Sequence, residues 1–123
     1  MTRRKLEYSR ETQGAAAREL VVFTLAGFLS GSEPAYEFQD EVRRKVAGGS
    51  RKIVIDLAGV ERIDSCGIGI LASLMWSASQ VKGGMVLAAV PRQVEKLLPI
   101  VMLLDHIDHA ASREAAIALL QGR

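Results

Sequence analysis

The distribution of hydrophobic and polar residues predicts strands that alternate with helices. The run ELVVFTLAG, residues 19–27, is rich in β-branched and aromatic residues and stops at glycine, as is typical of a strand. RKIVIDLAG is a continuous apolar run between charges and glycine, which predicts a central strand at Ile53–Leu57, buried on both faces. MVLAAV, residues 85–90, predicts a further strand, and the partial alternation of KLEYSRET predicts an edge strand near the N-terminus.

Four segments show apolar residues at helical spacing. Pro34 suits the first turn of one helix, a second follows Ser65, a third begins at Pro91 and is interrupted at Pro99, and Ser112 is a good N-cap for the last. The residues expected to face the core are Ala35, Phe38, Val42 and Val46 in the first helix, Ile68, Leu71, Ala72 and Met75 in the second, Val94, Leu97 and Leu98 in the third, and Ala116, Ile117 and Leu120 in the fourth.

The order of elements predicts the fold class. Strand–helix–strand crossovers imply parallel pairing with right-handed connections, and the small number of strands implies that helices crowd one face. We therefore expect an α/β fold, a single domain over residues 1–123 with a small mixed β-sheet and helices mainly on one face. Residues 1–18 are expected to hold the possible edge strand and a flexible N-terminus.

Composition and charge exclude several classes of function. A formal net charge of +2 and a pI near 8.9 are too mild to indicate a nucleic-acid partner or an anionic membrane. The single Cys66 rules out an internal disulfide, as expected in a reducing compartment. The longest apolar run, residues 66–78, is shorter than the ~20 residues of a membrane span. With no signal peptide to be seen either, we expect a cytoplasmic protein without direct membrane insertion.

The stretch RIDSCGIGIL, residues 62–71, carries the candidate chemistry. A nucleophile elbow needs glycine two residues on either side of its serine, whereas Ile63 and Gly67 flank Ser65. A triad could still be drawn from Ser65, His106 and an aspartate, which leaves a small serine hydrolase as one alternative. GIG lacks both the third glycine of a dinucleotide fingerprint and a P-loop lysine.

Metal and cofactor chemistry find little support in the sequence. The densest group of ligand-type residues is DHIDH, which spans Asp105–His109, and its simplest interpretation is a set of exposed polar residues. Cys66 has no histidine or cysteine beside it and is expected to be a small buried residue. We therefore predict no metal and no cofactor, and the role of the Asp105–His109 segment stays open.

Ser65 is predicted to cap the helix that follows it, because its hydroxyl can accept a backbone N–H of the first turn. A cap does not explain Gly67 and Gly69, each of which weakens a helix by up to ~1 kcal/mol relative to alanine. Their presence predicts that something approaches the backbone closely there. A phosphate on Ser65 would fit, since free N–H groups and the helix dipole favour an anion at this end.

From Glu19 onwards the chain resembles a known family. IVIDLAGVERIDSCGIGIL, then a helix, GGMVLAAVPRQVEKLL and a terminal helix are similar to the STAS domain family, and most of all to bacterial anti-sigma factor antagonists. The most specific part is Asp56–Leu71. The serine that is phosphorylated in that family falls on Ser65. Cys66 replaces a neighbouring hydroxyl residue, and Ser30 stands where many relatives carry an acidic residue.

The resemblance implies a protein-binding switch with no catalysis of its own. The unphosphorylated antagonist binds an anti-sigma factor that is also a serine kinase, so sigma factor is released. The kinase uses ATP to phosphorylate the serine, the complex dissociates, and a PP2C-type phosphatase resets the switch. A constitutive scaffold subunit of a signalling or lipid-transport assembly is the main alternative.

The site that follows from the motif and from helical spacing lies around the start of the second helix. Ser65 is the expected phosphorylation site. The expected partner-binding residues are Ser30, Asp64, Ser65, Cys66, Gly67, Gly69, Ile70, Ser73 and Leu74. Ile70 and Leu74 belong to this set only if they are not buried within the domain.

Overall fold

The computed structural model describes residues 5–14, 19–48, 52–79, 84–96 and 107–122. The strands in these ranges are β1 Glu7–Gln13, β2 Leu20–Leu29, β3 Lys52–Ile63, β4 Gly84–Ala88 and β5 Asp108–Ala110. The helices are α1 Glu33–Ala47, α2 Ser65–Ser79, α3 Arg92–Glu95 and α4 Arg113–Gln121. Apart from the short β5, this order of elements is the one that the hydrophobic pattern predicts.

The five strands form one mixed sheet in the order β1-β2-β3-β4-β5. β1 is the edge strand and pairs antiparallel with β2, whereas the three other pairings are parallel. β3 is central, as predicted, but it continues past Leu57 to Ile63 because its pairing with β2 resumes after a bulge. The predicted fold class, a small mixed sheet with helices mainly on one face, is confirmed.

Each face of the sheet carries its own apolar core. The larger core lies under α1 and α2 and includes Val94 of α3, and its aromatic centre is Phe38, whose ring packs edge-on against Phe23 at 5.6 Å between centroids. The smaller core lies under α4, where Ala116 and Leu120 are buried against alternate residues of the central strands. Ser112 caps α4 as predicted, because its Oγ accepts the N–H of Ala115 at 3.1 Å.

The buried side of α2 differs from the predicted stripe. Ile70, Leu71 and Leu74 are 3%, 1% and 0% exposed, whereas the predicted Ile68, Ala72 and Met75 are only partly buried. The reason is the placement of Gly67 against the sheet, which turns the residues three, four and seven positions later toward the core. The apolar residues predicted for the third helix after Val94, from Leu97 onwards, lie outside the described residues.

A buried carboxylate organises the α4 face of the sheet. Asp56 is 7% exposed, and its Oδ1 accepts the N–H of Ala58 at 2.9 Å, inside the β3 bulge. Its Oδ2 accepts the Arg113 Nε–H at 3.0 Å, and the same guanidinium donates to Thr24 Oγ1. Arg113 is the first residue of α4, so this network fixes the terminal helix to β2 and β3.

Removal of Arg113 is expected to destabilise the fold, since it would leave the buried Asp56 carboxylate without its cation. We expect Arg113→Ala to lower the free energy of unfolding by about 1.5–3 kcal/mol in urea denaturation, the range for hydrogen bonds to charged groups. Arg10→Ala is the matched control, because it breaks the exposed Arg10–Glu41 pair and should cost about 0–1 kcal/mol. Equal losses in the two variants would contradict the assigned role.

Candidate functional site

The site lies where two parallel strands end side by side. Leu29 of β2 and Ile63 of β3 are partners in register, so the next residues, Ser30 and Asp64, meet at the carboxyl edge of the sheet. The Asp64 N–H donates to the Leu29 carbonyl oxygen at 3.3 Å and holds the turn into α2 against β2. The carboxyl edge of parallel strands is the usual location of functional sites in α/β folds.

Asp64, rather than Ser65, caps α2. Its Oδ1 accepts the Gly67 N–H at 3.0 Å, and its carbonyl oxygen accepts the Ile68 N–H at 2.9 Å, the first bond of the helix. The prediction that Ser65 is the N-cap is therefore wrong, and Ser65 is the first helical residue. Both side chains can cap, but the carboxylate adds a favourable charge at the positive end of the helix dipole.

Ser30 completes the cap. Its hydroxyl donates to Asp64 Oδ2 at 2.5 Å, so each carboxylate oxygen has a donor. The Ser30 hydroxyl is the main cause of a lowered pKa of the Asp64 carboxyl, the Gly67 N–H is the next, and partial burial opposes them. Asp64 therefore carries its negative charge at neutral pH, directly before Ser65.

The two glycines of the motif have different environments. A Cβ on Gly67 would collide with the Leu29 carbonyl oxygen and would lie 2.8 Å from Ile63 Cγ1. What approaches the backbone at Gly67 is thus the protein's own strand. A Cβ on Gly69 would meet no described atom within 4 Å apart from its own helix, and the residue is exposed.

Ser65 and Cys66 are both exposed at the start of α2, so the expectation of a buried Cys66 is wrong. Cys66 lies beside the β2–α1 loop, where a Cβ on Gly31 would come within 3.4 Å of its Sγ. Tyr36 of α1, whose hydroxyl also lies beside Gly31, is 50% exposed. The structure therefore groups Ser30, Asp64, Ser65, Cys66 and Gly67 at one end of the domain.

Three of the predicted partner-binding residues have other roles. Ile70 and Leu74 are buried in the larger core, so the prediction that they contact a partner is wrong. Ser73 is partly buried, and its Oγ accepts a hydrogen bond from the Arg43 guanidinium of α1. The Arg43–Ser73 hydrogen bond joins α1 to α2.

Trp76 is an exposed residue that sequence reasoning missed. It is 66% exposed, the highest value among the large hydrophobic side chains that the structure describes. It stands eleven residues after Ser65, which is close to three full helical turns and places both on one side of α2. The spacing of Ser65 and Trp76 can be seen in the sequence, but the side of α2 that faces solvent cannot.

The described residues place no catalytic triad and no group of metal ligands together. Asp105 and His106 lie outside them, and His109 is exposed in β5, so the Ser65–His106 pairing is not described. Within the described ranges, no three histidine, cysteine, aspartate or glutamate side chains are grouped as metal ligands would be. No described helix has the length and apolar content needed to cross a bilayer.

The architecture is that of solved anti-sigma factor antagonists. SpoIIAA in its unphosphorylated form matches with a TM-score of 0.70 at 19% identity, over 94% of this chain and 100% of that one. The phosphorylated form of Bacillus SpoIIAA matches with a TM-score of 0.68 at 21% identity, over 94% of this chain and 100% of that one. An anti-sigma factor antagonist from Mycobacterium paratuberculosis matches with a TM-score of 0.69 at 19% identity, over 94% and 95% of the two chains. At these identities the likeness defines the fold.

Sequence comparison defines the family. The model described as the STAS domain matches residues 10–116, and the chain therefore belongs to the STAS domain family. It is also similar to BtrV of Bordetella bronchiseptica, which carries a provisional assignment as an anti-sigma factor antagonist. The two chains are 28% identical over 99 residues, which is 80% of this chain and 84% of BtrV.

Asp64→Ala is expected to destabilise the protein through loss of the cap, by about 0.5–2 kcal/mol in urea denaturation at pH 7. Ser65→Ala is the matched control and should change the free energy of unfolding by less than about 0.5 kcal/mol, as surface substitutions usually do.

Because the folded-state pKa of Asp64 lies below its ordinary value of 3.8, its ionised form favours folding. That contribution is complete above about pH 4 and disappears as the pH falls through the folded-state pKa.

The difference in stability between wild type and Asp64→Ala should therefore shrink in acid. A larger loss in Ser65→Ala than in Asp64→Ala would return the cap to Ser65.

Gly67→Ala and Gly69→Ala are expected to change stability in opposite directions. The methyl group at residue 67 would force α2 away from β2 and should cost at least about 1–3 kcal/mol. At residue 69 it meets open space and should stabilise the helix by about 0.5–1 kcal/mol. Thermal unfolding of the two variants measures both effects, and equal changes would show that α2 does not approach β2 at Gly67.

Proposed function

We propose that this protein is an anti-sigma factor antagonist, a protein-binding switch controlled by phosphorylation of Ser65. In its unphosphorylated form it binds an anti-sigma serine kinase and thereby releases sigma factor. The kinase transfers the γ-phosphoryl group of ATP to the Ser65 hydroxyl, and a PP2C-type phosphatase removes it. The family membership and the likeness to anti-sigma factor antagonists support this reading.

The observation that carries the proposal is the division of labour between Asp64 and Ser65. Asp64 supplies the cap, while Ser65 lies exposed one residue later. Its hydroxyl can therefore enter a kinase active site and be modified without loss of the cap. A serine that capped the helix itself would direct its oxygen toward the helix backbone rather than toward a kinase.

The electrostatics of α2 give a physical reason for release. None of its fifteen residues is charged, so a partner that covers its exposed side has no ion pair to satisfy there. Phosphorylation adds about −1.5 to −2 charges at Ser65, next to the ionised Asp64. Burial of those charges against a surface that was complementary to a neutral serine is unfavourable, so the complex dissociates.

The switch is tested by substitution of Ser65. Ser65→Asp places a negative charge at the interface and should weaken binding of the anti-sigma serine kinase encoded in the same genome by at least about tenfold in isothermal calorimetry. Phosphate should weaken binding further, because a carboxylate carries only part of the phosphate charge. Ser65→Ala should bind like wild type and should accept no phosphate in a reaction with kinase and ATP. Ser9→Asp adds the same charge on the exposed face of β1 and should leave the affinity unchanged.

Equal affinity of wild type and Ser65→Asp would contradict the switch. Tight binding without any phosphate on Ser65 after incubation with ATP would favour the constitutive scaffold instead.

A further inference from the structure

The exposed side of α2 continues well beyond Ser65. Ser65, Gly69 and Trp76 are exposed and follow one another at steps of four and seven residues, which places them in a line along the helix. The opposite side holds the buried Leu74, so the orientation of this line toward solvent is fixed. We call Ser65, Gly69 and Trp76 the outer line.

No contact with a described residue outside its own helix explains Gly69. It lies inside a helix, where glycine is less favourable than alanine by about 0.5–1 kcal/mol, and a methyl group there would touch no described atom outside its helix. Gly67, two residues earlier, is required by contact with β2. The missing side chain at residue 69 leaves a depression in the outer line, one turn from Ser65, where another molecule can approach the backbone.

Trp76 has the properties of an interface anchor. It is 66% exposed, and tryptophan is among the residue types that contribute most when they are buried in an interface. A standard interface covers about 800 Å² on each partner, a patch about 30 Å across. Trp76 is about 16 Å along the helix from Ser65. A partner of ordinary size that covers Ser65 is therefore large enough to reach Trp76 as well.

We propose that Gly69 and Trp76 form a phosphorylation-independent half of the kinase-binding surface, whose other half is Ser65 with its cap. This inference rests on the proposed function and names the same anti-sigma serine kinase as the occupant. Trp76 inserts into an apolar pocket of the kinase, and the kinase backbone packs over Gly69. The absence of charge on α2 means that neither contact has to desolvate an ion on this helix.

The separation of the two halves predicts how they combine. The distance of about 16 Å exceeds the Debye length of about 8 Å at physiological ionic strength, so a charge at Ser65 is largely screened at Trp76. Contributions from sites this far apart usually add as free energies, which means that the changes in affinity multiply. The phosphorylated protein therefore retains the affinity that Trp76 supplies.

The test is a binding cycle with the purified anti-sigma serine kinase that the wild type binds. Trp76→Ala should weaken binding about 10- to 30-fold, and by the same factor in the Ser65→Asp background. Gly69→Ala should weaken binding at least about fivefold even though it stabilises the fold, which excludes unfolding as the cause. Leu119→Ala removes another exposed apolar side chain, 41% exposed on α4 across the sheet, and should bind like wild type.

A direct readout comes from the single tryptophan of the chain. In protein labelled with 5-fluorotryptophan, the one ¹⁹F resonance should shift when kinase is added, whether or not Ser65 carries aspartate. Wild-type affinity in both Trp76→Ala and Gly69→Ala, with Ser65→Asp still weakened, would overturn this inference and leave the switch intact. If the wild type binds no such kinase, or if Ser65→Asp binds equally well, the proposed function fails and this inference fails with it.

Discussion

The position of α2 depends on one carboxylate. Asp64 joins the ends of β2 and β3 to the first turn of the helix, because it accepts from Ser30 on one oxygen and from the Gly67 N–H on the other. Its own N–H is held by the Leu29 carbonyl. These bonds orient a helix whose first turn touches β2 without an intervening side chain, which is possible only because residue 67 is glycine. The exposure of Ser65 and the burial of Leu74 both follow from that orientation.

The opposite face of the sheet uses a different device. There Asp56 is buried and paired with Arg113, so an ionic network rather than a close backbone approach fixes the terminal helix. The Asp56 carboxylate also holds the bulge that lets β3 stay paired with β2 as far as Ile63. The long third strand carries the chain to the edge where Asp64 and Ser65 are presented. Asp56 therefore stabilises the bulge of β3, and Asp64, later in the chain, stabilises the start of α2.

This arrangement separates the groups that stabilise the site from the groups to which we assign the proposed regulation. The groups that hold the site together are Asp64, Ser30 and Gly67, and their contacts lie within the domain. The groups assigned to the partner are Ser65, Gly69 and Trp76, which face solvent. A phosphate can therefore change the charge of the surface without disturbing the cap beneath it. In the proposed function, the same separation would let one part of the surface respond to phosphorylation while another part does not.

The sequence by itself determined the order of the elements, the mixed sheet and the location of the motif at the start of α2. The spacing of apolar residues and the glycines that end each segment are local properties, so they can be recognised without knowledge of distant contacts. The tertiary structure alone decided which of two adjacent capping residues is used, because that choice depends on Ser30 and Leu29, more than thirty residues away in the chain. It also decided which side of an almost uniformly apolar helix is buried. SCGIGILASLMWSAS has no charged residue to mark its outer side, so Ile70, Leu74 and Trp76 could be assigned only from the contact of Gly67 with β2.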